Sequence, residues 1–84
     1  SNFIPDKVIK KKETIDKFNS ILKNNVDANI SSKINVINYS DVSITIECND
    51  SSISSIIKFE SDKYVQIFKD YGIYNIREIK VKLI

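Results

Sequence analysis

Residues 34–52 leave the chain little choice of local structure. Residues 34–39 (Ile-Asn-Val-Ile-Asn-Tyr) are an apolar run rich in β-branched side chains, Ser40-Asp41 punctuates it, and residues 42–48 then alternate apolar with polar. Successive side chains of a strand point to opposite faces, so Val42, Ile44, Ile46 and Cys48 share one face while Ser43, Thr45 and Glu47 share the other. Two such runs around a tight turn predict an antiparallel pair with one side on a core and the other in water. Asn49-Asp50-Ser51-Ser52 follows without a linker. These residue types cap helix N-termini, because their side-chain oxygens accept from the free amides of a first turn, so a helix is expected to start there.

The flanking segments extend this pattern. Val8, Ile15, Phe18, Leu22 and Val26 fall near one face at a period of about 3.6 residues, with Ile9 and Ile21 on its margins. Pro5 sits where a first helical turn tolerates a missing amide. A helix is expected from Pro5 or Asp6 to Asn25, either continuous or broken near Lys12 with Thr14 capping a second segment. Residues 27–33 are polar and without periodicity, and read as a connector. After the capping cluster, Ile53, Ile56, Ile57, Phe59, Tyr64, Ile67 and Phe68 carry a second helical region, interrupted at Glu60-Ser61-Asp62. One kinked helix and two consecutive helices fit equally, with Ser61 or Asp62 capping a second helix over residues 62–71. Gly72, the only glycine, stands where a left-handed C-cap is needed. Ile79, Val81 and Leu83 alternate with Glu78, Lys80 and Lys82, which predicts a final strand. The expected architecture is α+β with the order α-β-β-α(α)-β: a three-stranded sheet with helices packed on one face.

Composition bounds the function more than it identifies it. The 84 residues, 42% hydrophobic and 29% charged, suit one globular domain spanning residues 1–84. The chain has no methionine, so Ser1-Asn2 reads as the scar of a cleaved tag, residues 1–4 read as a tag remnant or a disordered start, and the natural protein is free to extend beyond either end. With no histidine, the commonest general base and metal ligand are missing, and one cysteine cannot build a thiolate site. A single glycine excludes glycine-rich phosphate loops. No enzyme activity, cofactor or small-molecule substrate is expected. Cys48, inward on its strand, reads as a small buried apolar side chain rather than a reactive thiol. No apolar run approaches the roughly 18 residues that span a membrane, and no signal-peptide pattern appears, so a cytoplasmic location is expected.

The charge is weakly basic, at +2. Lysines crowd the N-terminal third, where Lys7, Lys10, Lys11, Lys12, Lys17 and Lys23 oppose Asp6, Glu13 and Asp16. Lys10, Lys11 and Lys12 on the first helix, Lys33 at the entrance to the sheet, and Lys80 and Lys82 on one side of the last strand are the candidate DNA-binding residues. They would contact phosphates with little sequence specificity. The competing reading is that they only keep a small domain soluble. With Val36 buried, Ile37 and Tyr39 would decorate the outer face and stack bases or touch a protein. Tyr64, Tyr71 and Tyr74 read as half-buried, with wet hydroxyls.

The element order resembles a KH-type nucleic-acid-binding fold, although a single glycine cannot make the GxxG loop by which KH domains clamp a backbone. A closer resemblance, over roughly residues 14–83, is to the DciA family, bacterial proteins that help place the replicative helicase on DNA and carry a KH-like domain without that loop. Residues 15–22 resemble that family's leucine-leucine-asparagine helix, Val36-Ile37-Asn38-Tyr39 its first strand with a Val-x-Asn pattern, and residues 42–48 its second. Residues 49–59 resemble its most recognisable segment, Asp-Ser-Pro-Ala-Trp-Ala, two variable residues, then Leu-Arg-Phe; residues 72–83 resemble its final strand. Ile53 stands where the family usually has tryptophan and Lys58 where arginine is common. The chain also lacks the basic extension of many members. The resemblance implies a replication accessory protein that binds the replicative helicase, with Ile53, Lys58 and Phe59 as partner-binding residues, and binds single-stranded or forked DNA weakly. The alternative is a protein–protein interaction module on a KH-like scaffold with no direct nucleic-acid role.

Overall fold

Seven elements follow one another in the computed structural model, which describes residues 6–84, with side chains from Lys10 onward. They are α1 (Asp6–Asn25), α2 (Ala28–Ser31), β1 (Ile34–Tyr39), β2 (Ser43–Cys48), α3 (Ser51–Phe59), α4 (Ser61–Asp70) and β3 (Glu78–Leu83). The expected starting position of Pro5, the side chains of Val8 and Ile9, and residues 1–4 lie outside the described residues. The strands form one sheet in the order β1-β2-β3, with β1 antiparallel and β3 parallel to β2. This is the expected α+β class, a three-stranded sheet under helices, consistent with a small KH-like fold. Joining parallel neighbours requires a crossover, and α3 and α4 supply it.

The core lies between the helices and one sheet face. Phe18, Ile21 and Leu22 of α1 meet Ile34 and Val36 of β1, Ile44, Ile46 and Cys48 of β2, Ile53 and Ile57 of α3, and Tyr64, Ile67 and Phe68 of α4. Cys48 is buried, and its thiol donates to the Asp50 carbonyl at 3.2 Å, in keeping with a packing role. Tyr64 is fully buried rather than half-buried, whereas Tyr71 and Tyr74 are exposed. Burial pushes the Tyr64 phenol above the usual tyrosine range, with Glu60 adding to the shift.

One open local alternative is resolved and three local expectations change. First, α1 runs unbroken through Lys12, because nothing between Asp6 and Asn25 breaks a helix. Thr14 caps nothing; its hydroxyl donates to the Lys10 carbonyl one turn back, at 2.8 Å. Second, the connector contains α2. The Asp27 side chain accepts from the Asn29 amide at 2.8 Å and caps a single turn too short to show a period. Third, β2 begins at Ser43. Val42 belongs to the two-residue turn and is 48% exposed, while Ser43 is buried and its hydroxyl bonds that of Ser40 at 2.8 Å. Fourth, α4 starts at Ser61 with Glu60 in the capping position, and neither Ser61 nor Asp62 caps it.

A bulge in β1 redirects Tyr39. The register passes from Val36↔Ile46 to Asn38↔Thr45, leaving Ile37 as an extra residue. An extra residue inverts the alternation beyond it. Tyr39 therefore pairs with core-facing Ile44 and packs edge-on against Phe18, ring centroids 5.5 Å apart. It does not decorate the outer face.

The α4 terminus is closed as the single glycine suggested. Gly72 has φ +83°, its amide donates to the Lys69 carbonyl at 2.9 Å, and the Ile73 amide reaches back to the Phe68 carbonyl at 2.9 Å. These paired bonds define a Schellman ending. A Cβ at Gly72 would meet nothing within 4 Å, so only backbone strain opposes a side chain there. Gly72→Val is expected to destabilise the fold by roughly 1–2 kcal/mol. Urea denaturation checks this, and an unchanged midpoint would contradict the strain.

Candidate docking surface at the corner of α3 and α4

Asp50 sets where α3 begins. One carboxylate oxygen accepts from the amides of Ser52 at 2.8 Å and Ile53 at 3.2 Å, and the other accepts from the Lys33 ammonium at 3.2 Å. The Ile53 amide, then Lys33, hold the Asp50 carboxyl below its ordinary value of 3.8. A carboxyl lowered on folding contributes stability above its unfolded pKa, and that contribution is lost as pH falls through the folded one. Thermal stability is therefore expected to drop on acidification below 3.8. Asp50→Asn, which carries no charge to protonate, should flatten part of that drop in pH-dependent melts.

From this anchor α3 presents two different faces. Ile53, Ser54 and Ile57 are buried. Ile56 and Phe59 are exposed, by 39% and 91% respectively. The helix ends at Phe59, and α4 starts after Glu60, so the Phe59 ring stands at an outside corner of the chain. Ser55, Ile56, Phe59 and Glu60 line a shallow, mostly apolar recess. Charge borders it: Lys58 is exposed, and the Lys63 ammonium pairs with Glu60 at 3.7 Å.

Of the three partner-binding candidates, Lys58 and Phe59 are accessible, while Ile53 is 8% exposed and part of the core. Ile56 takes its place beside Phe59 on the surface. Four apolar residues in nine positions of α3 exceed what one buried helix face absorbs, and that excess was the available signal for Ile56.

The candidate DNA-binding lysines are not brought onto one surface. Lys10, Lys11 and Lys12 are exposed along α1, with the Lys11 ammonium 5.9 Å from the Tyr39 ring centroid, on the helix side of the sheet. Lys80 and Lys82 alternate with core-facing Ile79 and Val81 on the opposite face, at register positions beside Thr45 and Glu47. Lys33 is engaged by Asp50. The groove beside the start of β1 carries both signs, lined by Lys23 and Lys33 but also by Glu47. Among the described residues no group of three or more histidine, cysteine, aspartate or glutamate side chains is placed to hold a metal ion, and no helix is long and apolar enough to cross a membrane.

The chain matches no family model and no curated protein.

Proposed function

We propose that this domain is a non-enzymatic adaptor that docks a protein partner on the Ile56–Phe59 corner, and that the partner is a replicative helicase, as in the DciA family that the sequence resembles. The observation that carries the docking reading is Phe59, 91% exposed at the end of a helix whose other apolar side chains are mostly buried. A phenylalanine left in water forgoes about 1.5–3 kcal/mol that burial would provide. A partner that covers it recovers that energy, and aromatic anchors are over-represented among the residues that dominate interfaces. Lys58 beside it supplies a polar rim. The identity of the partner rests on the resemblance alone.

Direct DNA contact is the second half of the reading. Separation of the lysines by the sheet, and the Lys33–Asp50 pair, favour a module that meets nucleic acid only through its partner. Size-exclusion chromatography with the replicative helicase of the same organism, with and without forked DNA, tests both halves. Co-elution without DNA supports the adaptor. Separate elution in both conditions removes the helicase as the partner of this domain. Titration with single-stranded DNA near 50 mM salt, where phosphate-driven affinity is greatest, decides direct contact. Absence of binding there leaves the protein–protein reading.

A further inference from the structure

The two edges of the sheet are treated differently. On β1, the Asn19 carboxamide of α1 accepts from the Val36 amide at 2.7 Å and donates to the Val36 carbonyl at 3.2 Å. A side chain thus occupies the main-chain groups that an added strand would need, and closes that edge.

On β3 no such clip exists among the described residues. The Glu78 amide bonds the Val42 carbonyl at 3.1 Å and the Ile84 amide bonds the Cys48 carbonyl at 2.9 Å. These two bonds set the parity of the parallel ladder: even-numbered residues face β2, so the amides and carbonyls of Ile79, Val81 and Leu83 point away from it. Nothing among the described residues bonds them. Along the core-side row of β3, Ile79 is buried, Val81 is half-buried and Leu83 is 52% exposed. The accessible edge is therefore the half from Val81 onward. Backbone groups that are neither paired nor covered are a template for another strand.

We infer that β3 receives an extended peptide as a fourth strand, and that the peptide alternates apolar with acidic side chains. The charge of the strand selects this occupant. Lys80 and Lys82 lie on the outer face, with uncharged Thr45 the β2 neighbour of Lys80 and Glu47 that of Lys82. On the open side, the flanking positions of both lysines belong to the incoming strand, and opposite charges across a strand pair are favourable. Its intervening apolar residues would extend the core-side row of Val81 and Leu83. A second copy fits poorly. Antiparallel pairing of two β3 strands centred on Val81 places Lys80 against Lys82 twice; centring on Lys80 gains two Glu78–Lys82 pairs but sets Lys80 against itself and needs the covered end at Ile79; centring on Ile79 also uses that end.

The probe is an acetylated octapeptide alternating valine with glutamate, compared with its valine–lysine counterpart. Saturable binding of the glutamate peptide to the whole chain is expected, with amide exchange slowed at Val81 and Leu83, and the lysine peptide at least about tenfold weaker. Val81→Pro removes an outward amide without costing a bond to β2, and should abolish binding. Lys80→Glu with Lys82→Glu, on the exposed face, should reverse the peptide preference, and decides the matter if the proline variant does not fold. Equal binding of both peptides, no saturation, unchanged binding by folded Val81→Pro, or a wild-type dimer that Val81→Pro dissociates would each overturn the inference.

Discussion

Phe68→Ala is expected to lower the free energy of unfolding by about 3–5 kcal/mol. For a chain of this length, with a total of roughly 4–13 kcal/mol, that is a large fraction of the margin. Phe68 is fully buried, and its ring meets Phe18 edge-on at 5.3 Å. Phe18 in turn meets Tyr39 at 5.5 Å. Three rings in line thus join α4, α1 and β1, elements that no backbone ladder connects. Truncating the first empties a volume the flanking helices cannot collapse into without breaking the second contact, so the cavity cost adds to the lost burial. Phe68→Leu keeps most of the volume and should cost less than about 1.5 kcal/mol. Urea denaturation separates the two variants, and a loss below about 1 kcal/mol for the alanine variant would contradict this account of the core.

The parts of the fold that were legible in the sequence are those where one residue type answers one local demand. Residues 44–48 alternate because one sheet face is dry; Asp50 precedes α3 because four amides need an acceptor; Gly72 follows α4 because φ +83° disfavours a Cβ. What stayed hidden depends on partners distant in the chain. Ile37 looks like any strand residue, and only the count against β2 reveals that it is extra. A reading by strict alternation therefore turned Tyr39 outward, whereas the bulge returns it to Phe18. Asn19, apparently an ordinary polar residue of α1, closes the β1 edge only because Val36 lies opposite it, 17 positions later.

The candidate surface was half legible for the same reason. The apolar residues of α3 announce a buried stripe but not its limits, since the sheet occupies only the side of Ile53 and Ile57. The resemblance to the family pattern points to Ile53 as the anchor because tryptophan is usual there. The packing assigns Ile53 to the core and leaves the corner to Ile56 and Phe59. The lysines illustrate the limit more sharply. Grouped by charge as one candidate phosphate-binding set, they fall on opposite sides of a sheet whose layers charge alone does not reveal.

Phe59→Ala is the change that separates docking from folding. Its ring is 91% exposed and absent from the core cluster, so its loss should move stability by no more than about 0.5 kcal/mol. If the corner is the anchor of the proposed interface and a helicase its partner, the same substitution should weaken that complex by at least about thirtyfold, the loss of 2 kcal/mol typical of a central aromatic contact. Ile53→Val makes the converse case: removal of one buried methyl should cost about 0.5–1.5 kcal/mol of stability and leave the affinity of the folded protein unchanged. Calorimetric titration of both variants against the helicase, alongside their unfolding curves, gives a two-by-two result. An Ile53 variant that loses affinity at full folding would return the anchor to the position where the family carries tryptophan. A Phe59 variant that binds as the wild type would leave that ring without a role in the complex.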